Sequence, residues 1–132
     1  MDPIALLSVR LHLKRSRLGN EALSPRERVV VDVMGVAAEV MNGGFHQFFF
    51  NKAGDRAAES VAALRQIGAR AAASIVAQAC SRFPDGAAHS DRFTRQRQLE
   101  TLALEAFRDL DIRFRRQVDE VVKRLERAVQ RP

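Results

Sequence analysis

Apolar residues recur at three- and four-residue spacing along most of the chain, which is the signature of helices burying one face. A first helix is predicted from Pro3 to about Arg17. Ile4, Leu7, Leu11 and Leu18 form its apolar stripe, and Leu18-Gly19-Asn20 stops it. The second has a marked start: Ser24 as N-cap, Pro25 in the first turn and Glu27 completing a capping box. It runs to about Met41 on a stripe of Val30, Val33, Ala37, Val40 and Met41. Ala53-Gly54-Asp55 reads as a turn, with Asp55 able to cap a helix over Arg56 to Ile67. Gly68 breaks the chain before an alanine-rich helix from Ala69 to Phe83, with Ile75, Val76, Ala79 and Phe83 inward.

After the loop from Pro84 to Ser90, Ser90 or Asp91 can cap a helix over Arg92 to Arg108, with Leu99, Leu102, Ala103 and Ala106 inward. Asp111 can cap the last helix, Ile112 to Gln130, whose stripe is Phe114, Val118, Val121 or Val122, Leu125 and Val129. No stretch shows strand alternation and no segment repeats. The prediction is an all-α single domain, a compact bundle of six or seven helices.

The stretch Asn42-Gly43-Gly44-Phe45-His46-Gln47-Phe48-Phe49-Phe50-Asn51 interrupts this pattern. It holds four of the eight phenylalanines, in a chain with no Trp and no Tyr. Asn42 and Gly43 tolerate a left-handed conformation and so can end the second helix, with Gly43 as the cap, and Gly44 frees the chain to turn. Phe45, Phe48 and Phe49 follow at i, i+3 and i+4, so a short helix presents them on one side. Asn42, His46, Gln47 and Asn51 give that wedge a polar edge. Aromatics at helical spacing are ordinarily packing. The density of the polar set makes the motif a candidate interaction site as well.

This motif resembles the hallmark of the bacterial DNA-mimic protein family, the "nineteen" DNA mimic and its relatives. The flanking segments are similar too: Leu23-Ser24-Pro25 before it, Ala62-Ala63-Leu64-Arg65-Gln66-Ile67-Gly68-Ala69 after it, then Phe83-Pro84-Asp85-Gly86 and Leu110-Asp111-Ile112-Arg113-Phe114. The resemblance runs from about Leu23 to Val129. It divides the chain into a basic N-terminal helix or arm, residues 1–22, and a helical domain, residues 23–132. It implies an all-helical fold and a protein partner, with a DNA-binding regulator as the kind of partner a DNA mimic occupies. It also implies self-association, with a homodimer as the expected form and the N-terminal helix as the candidate element.

A chain of 132 residues with 46% apolar residues has the size and composition of one domain with its own core. The single Cys80 excludes an internal disulfide, fits a reducing compartment and sits among small apolar residues as a core thiol. No segment has the apolar length of a membrane span. The run from Ile4 to Leu13 is interrupted by Arg10, and its charges follow it, which is the wrong order for a signal peptide. The cytoplasm is the expected location.

Charge changes the picture. There are 22 Lys and Arg against 16 Asp and Glu, a formal charge of +6. Mimicry of DNA calls for carboxylates spaced like phosphates, and the sign here is opposite. From Val29 to Ser60 the balance is only minus two. The bases cluster in the first helix (Arg10, Lys14, Arg15, Arg17) and at the start of the penultimate one (Arg92, Arg95, Arg97). With Arg113, Arg115 and Arg116 they also open the last. Arg10, Lys14, Arg15, Arg17, Arg92 and Arg95 are therefore the candidate contacts for an anionic partner, including nucleic acid. In the last helix, Arg115–Asp119, Arg116–Glu120, Asp119–Lys123 and Glu120–Arg124 are i,i+4 pairs, the pattern of an exposed, ion-paired face.

The chain carries no recognisable catalytic constellation. His12, His46 and His89 fall in three elements without metal-ligand spacing. There is no phosphate-binding glycine loop, nucleophile elbow or zinc-protease motif. No catalytic residue, cofactor or metal is predicted. The leading class is a non-enzymatic protein-interaction module. A nucleic-acid binder using the basic ends is the alternative, and an enzyme with an unrecognised site comes third.

Overall fold

In the computed structural model, which describes residues 2–131, the chain winds into α1 (Pro3–Leu18), α2 (Pro25–Phe50), α3 (Ala57–Gln66), α4 (Arg70–Ser81), α5 (Arg92–Glu100), α6 (Arg108–Arg115) and α7 (Val118–Gln130). Short 3-10 turns over Asn20–Ala22 and Lys52–Arg56 join α1 to α2 and α2 to α3. The fold is all-α, as the periodicity predicts, and the described residues contain no strand.

α2 is the axis of the bundle. It starts where the capping box puts it: the Ser24 hydroxyl accepts from the Glu27 amide at 3.1 Å and the Glu27 carboxylate from the Ser24 amide at 2.9 Å. Val30, Val31, Val33, Val36, Ala37 and Val40 are buried along its first limb, and α1, α3, α5, α6 and α7 all pack against it. α1 docks through Ile4, Ser8 and Leu11. Leu18 continues the stripe of α1 past the edge of the core and is 68% exposed, and Met41 does the same on α2 at 49%. α3 and α4 lie close because Ala63, Ala72, Ala73 and Ala79 face inward, and small side chains let helix axes approach.

Several boundaries differ from expectation. The stop of the second helix just after Met41 is not among them: Gly43 and Gly44 leave helical geometry, and the aromatic helix restarts at Phe45 and runs to Phe50 as a second limb of α2. Gly44 takes the positive φ, 75°, whereas Gly43 has φ −148° and is not the left-handed cap. α5 stops at Glu100, and the segment to Phe107 is a run of turns that leaves Ala103 exposed. The predicted last helix is two, α6 and α7, parted at Arg116 and Gln117. That break separates Arg115 and Arg116 from the helix that carries Asp119 and Glu120. Of the four predicted i,i+4 pairs only Glu120–Arg124 forms among the described residues, at 2.9 Å.

Candidate functional site

The second limb of α2 drives Phe45, Phe48 and Phe49 into the core, all fully buried. Phe83, Phe107 and Phe114 complete the cluster. Phe49 meets Phe83 edge-on at 4.7 Å, and Phe45 meets Phe114 edge-on at 5.6 Å, the geometry that sets the positive edge of one ring against the negative face of another. Each buried ring stabilises the fold by roughly 1.5–3 kcal/mol through apolar burial alone. Phe50 points the other way and is half-exposed.

The kink that aims these rings is held from a distance. A helix restarting at Phe45 has amides with no carbonyl one turn behind. The Asp111 carboxylate in α6 accepts the Phe45 amide at 2.8 Å, so it caps the second limb from another element. A Cβ on Gly44 would lie 2.6 Å from that carboxylate, and the positive φ disfavours any other residue there. Asp111 is thus not the cap of a terminal helix; it lies inside α6 and caps α2.

The polar edge is a closed set. Asn42 donates to the Gln47 side-chain oxygen at 3.2 Å, and Gln47 and Asn51 both donate to the Glu39 carboxylate, at 2.8 and 3.0 Å. A Cβ on Gly43 would fall on the Gln47 side chain, which accounts for that glycine without any unusual φ. His46 is half-buried beside this set and makes none of these bonds. The motif residues therefore serve one another. The glycines make room, the phenylalanines fill the core and the amides tie two limbs of a bent helix through Glu39, a residue the motif itself does not contain.

The far end of α2 is closed by Arg95. Its guanidinium donates to the Phe49 carbonyl at 2.6 Å, the Asn51 carbonyl at 3.0 Å, the His89 and Ser90 carbonyls at 2.9 and 3.2 Å, and the Asp55 carboxylate at 2.7 Å. A cation at a helix C-terminus satisfies orphan carbonyls and opposes the negative end of the helix dipole. Gln96 adds a bond to the Phe50 carbonyl at 2.8 Å. Gly54 is what lets this happen, because a Cβ there would sit 2.5 Å from the Phe48 carbonyl oxygen and 3.0 Å from the Arg95 guanidinium. Burial alone would push the Asp55 carboxyl up, but hydrogen bonds from Arg92 and Arg95 together hold it below its ordinary value. Asp55 does not cap α3.

The six basic residues predicted to meet an anionic partner part company. Arg95 is 0% exposed and committed inside the fold, so no partner can reach it. Arg92 pairs with Asp55 at 2.8 Å. Arg15 and Arg56 both bind the buried carboxylate of Asp32, at 3.0 and 2.7 Å, clipping α1 and the second 3-10 turn to α2. Lys14 lies 3.5 Å from Glu27. Arg10 and Arg17 are exposed and have no carboxylate partner among the described residues. Burial pushes the Cys80 thiol up to about 11, the behaviour of a core thiol. Among the described residues no cluster of His, Cys, Asp and Glu has the geometry to hold a metal ion.

A scan against protein families matches residues 21–131 to the DMP19-like proteins. The chain belongs to the DMP19-like family. This is the DNA-mimic family that the motif resembles, and the match spans the capping box, the kink, both ends of α2 and α7. Comparison with curated proteins and with solved structures gave no significant match. DMP19-like membership suggests a role in protein interaction, and the family is generally non-enzymatic. No described helix is long and apolar enough to cross a membrane.

Proposed function

We propose that this chain is a non-enzymatic protein-interaction module that regulates or inhibits a protein partner. Membership of the DMP19-like family over residues 21–131 is the observation that carries this reading. A DNA mimic offers carboxylates where DNA has phosphates. Here four of the sixteen acidic side chains are already paired with bases elsewhere in the fold: Asp32 with Arg15 and Arg56, Asp55 with Arg92 and Arg95, Asp109 with Arg82, Glu27 with Lys14. The reading keeps the family's protein-partner role, with a DNA-binding regulator as the partner class, and sets aside a phosphate-like ladder as its means. Residues 1–22 act as a basic arm on a 23–132 domain, a division supported by the start of the family match at residue 21. A homodimer and a cytoplasmic setting belong to the same proposal.

Affinity capture of the tagged chain, with and without nuclease digestion, followed by reconstitution with the purified partner, tests this. A complex of fixed stoichiometry supports the reading. Recovery of nucleic acid alone contradicts it. A nucleic-acid binder is the second reading, favoured by Arg10 and Arg17 on α1, which are exposed and have no carboxylate partner among the described residues.

A further inference from the structure

Two adjoining cavities, of about 440 and 240 Å³, open between the first turns of α2, the α3–α4 turn and the C-terminal half of α7. They share Gln66, Ile67, Ala128 and Arg131, so they form one groove. Its floor is apolar: Val30 and Leu125 are buried beneath it, and the partly exposed Val29, Ile67 and Val129 line it. Its rim is basic, with Arg26 on the α2 wall and Arg124, Arg127 and Arg131 on the other. No Asp or Glu lines either cavity. Arg124 is partly neutralised by Glu120 at 2.9 Å, while Arg26 and Arg127 have no carboxylate partner among the described residues. The neighbouring cleft across α7 differs in character, because the acids Asp2 and Glu126 line it.

We propose that this groove receives an acidic amphipathic helix of the partner protein. The inference rests on the protein-interaction reading and supplies the chemistry of what is bound. Charge complementarity sets the sign, because planar guanidinium groups pair bidentately with carboxylates. The floor sets the class. A phosphodiester backbone gains nothing from lying on valine and isoleucine, whereas a helix can lay leucines on them and turn its acids to the rim. The register fits as well. Arg124 and Arg127 stand at i and i+3 along α7, one turn apart, and Arg131 follows just past the helix end, so acids at helical spacing on a neighbouring helix can meet the first two. The positive end of the α2 dipole lies at the same wall and adds to the potential.

The test is a titration of the full chain with a short labelled peptide carrying leucines at i, i+3, i+4 and i+7 and aspartates between them. The peptide binds saturably, and the Arg26→Glu, Arg127→Glu double variant weakens it by roughly tenfold or more. Both residues are exposed, so the thermal midpoint of the variant stays near that of the wild type. A second peptide with serines for the leucines loses binding too, because the floor is then unused. Equal binding by the double variant, or no binding to the wild type, overturns the proposal. So does tight binding of the serine peptide, which would mean charge attraction alone, or displacement of the leucine peptide by duplex DNA, which would make the groove a nucleic-acid surface. A captured protein partner that binds the double variant as well as the wild type sinks the groove assignment and leaves the interaction reading standing.

Discussion

The Asp111 carboxylate accepts the backbone amide of Phe45 at 2.8 Å across 66 residues of sequence. The bond holds the point where α2 bends, and the bend aims three phenylalanines into the core. An N-cap to alanine change costs about 0.5–2 kcal/mol. Asp111→Ala is expected to lower stability by about 1–2 kcal/mol, with Asp111→Asn milder because an amide oxygen still accepts. Gly44→Val is expected to be worse than either, since it adds backbone strain to the clash. Urea unfolding of the three variants checks this, and an Asp111→Ala midpoint equal to the wild type would show that the cap carries no energy.

Arg95 is a buried ion that closes the C-terminus of α2. Arg95→Met keeps the bulk but leaves the Phe49, Asn51, His89 and Ser90 carbonyls without this donor and Asp55 with Arg92 alone. A buried acceptor left unsatisfied costs about 1–3 kcal/mol, so a loss of about 3 kcal/mol or more is expected in denaturant. A loss no larger than that of the exposed Arg97→Met would remove Arg95 from the core of the account.

Phe48 and Phe49 are buried while Phe50 is half-exposed, so three adjacent positions give a graded test. Phe48→Ala and Phe49→Ala should each cost about 3–5 kcal/mol, and Phe50→Ala much less. Thermal unfolding reads the order directly. A Phe50 variant as damaging as the other two would mean that Phe50 is covered in solution by a second copy or a partner.

Stability should fall with acid in two stages. Burial, with Arg15 alongside, pushes the His12 imidazole below its ordinary value of about 6.5. The unfolded chain then binds the proton first, so stability drops as pH falls below about 6.5. The carboxyls behave in the complementary way. Arg82 holds Asp109 at about 2, and Arg92 and Arg95 hold Asp55 below its ordinary value despite burial. Their stabilisation is present above about pH 4 and is lost as pH falls through the folded-state values. Thermal midpoints from pH 7 to 3 should show both stages, with His12→Gln flattening the first and Asp55→Asn the second. A wild-type midpoint that does not change between pH 7 and 5 would contradict the His12 assignment.

The local signals were legible in the sequence and the distant ones were not. The Ser24 capping box, the stop at Gly19 and the inward face Phe45, Phe48, Phe49 depend on residues within a turn or two of each other. Asp55 and Asp111 stand where helix caps belong, and each serves an element far from its own. Arg95 looked like surface because its partners come from α2, the second 3-10 turn and the 84–90 loop, which the sequence does not bring together. Glu39 lies outside the conspicuous motif yet ties it together through a bent helix. The break between α6 and α7 falls at Arg116 and Gln117, where neither glycine nor proline marks it. The basic groove draws on residues 25 to 131 and became visible only when α7 was laid beside the start of α2.

The most direct measurement is fluorescence anisotropy of labelled duplex and single-stranded DNA against the chain over a salt series. Six to ten phosphate contacts would cost about three to five decades of affinity between 50 and 200 mM salt. A protein-interaction module of this fold, with Arg15, Arg92 and Arg95 committed internally, should give weak, unsaturable DNA binding that Arg10→Gln with Arg17→Gln leaves unchanged. Saturable binding with a steep salt slope, abolished by that pair of substitutions, would contradict the account and make the chain a nucleic-acid binder.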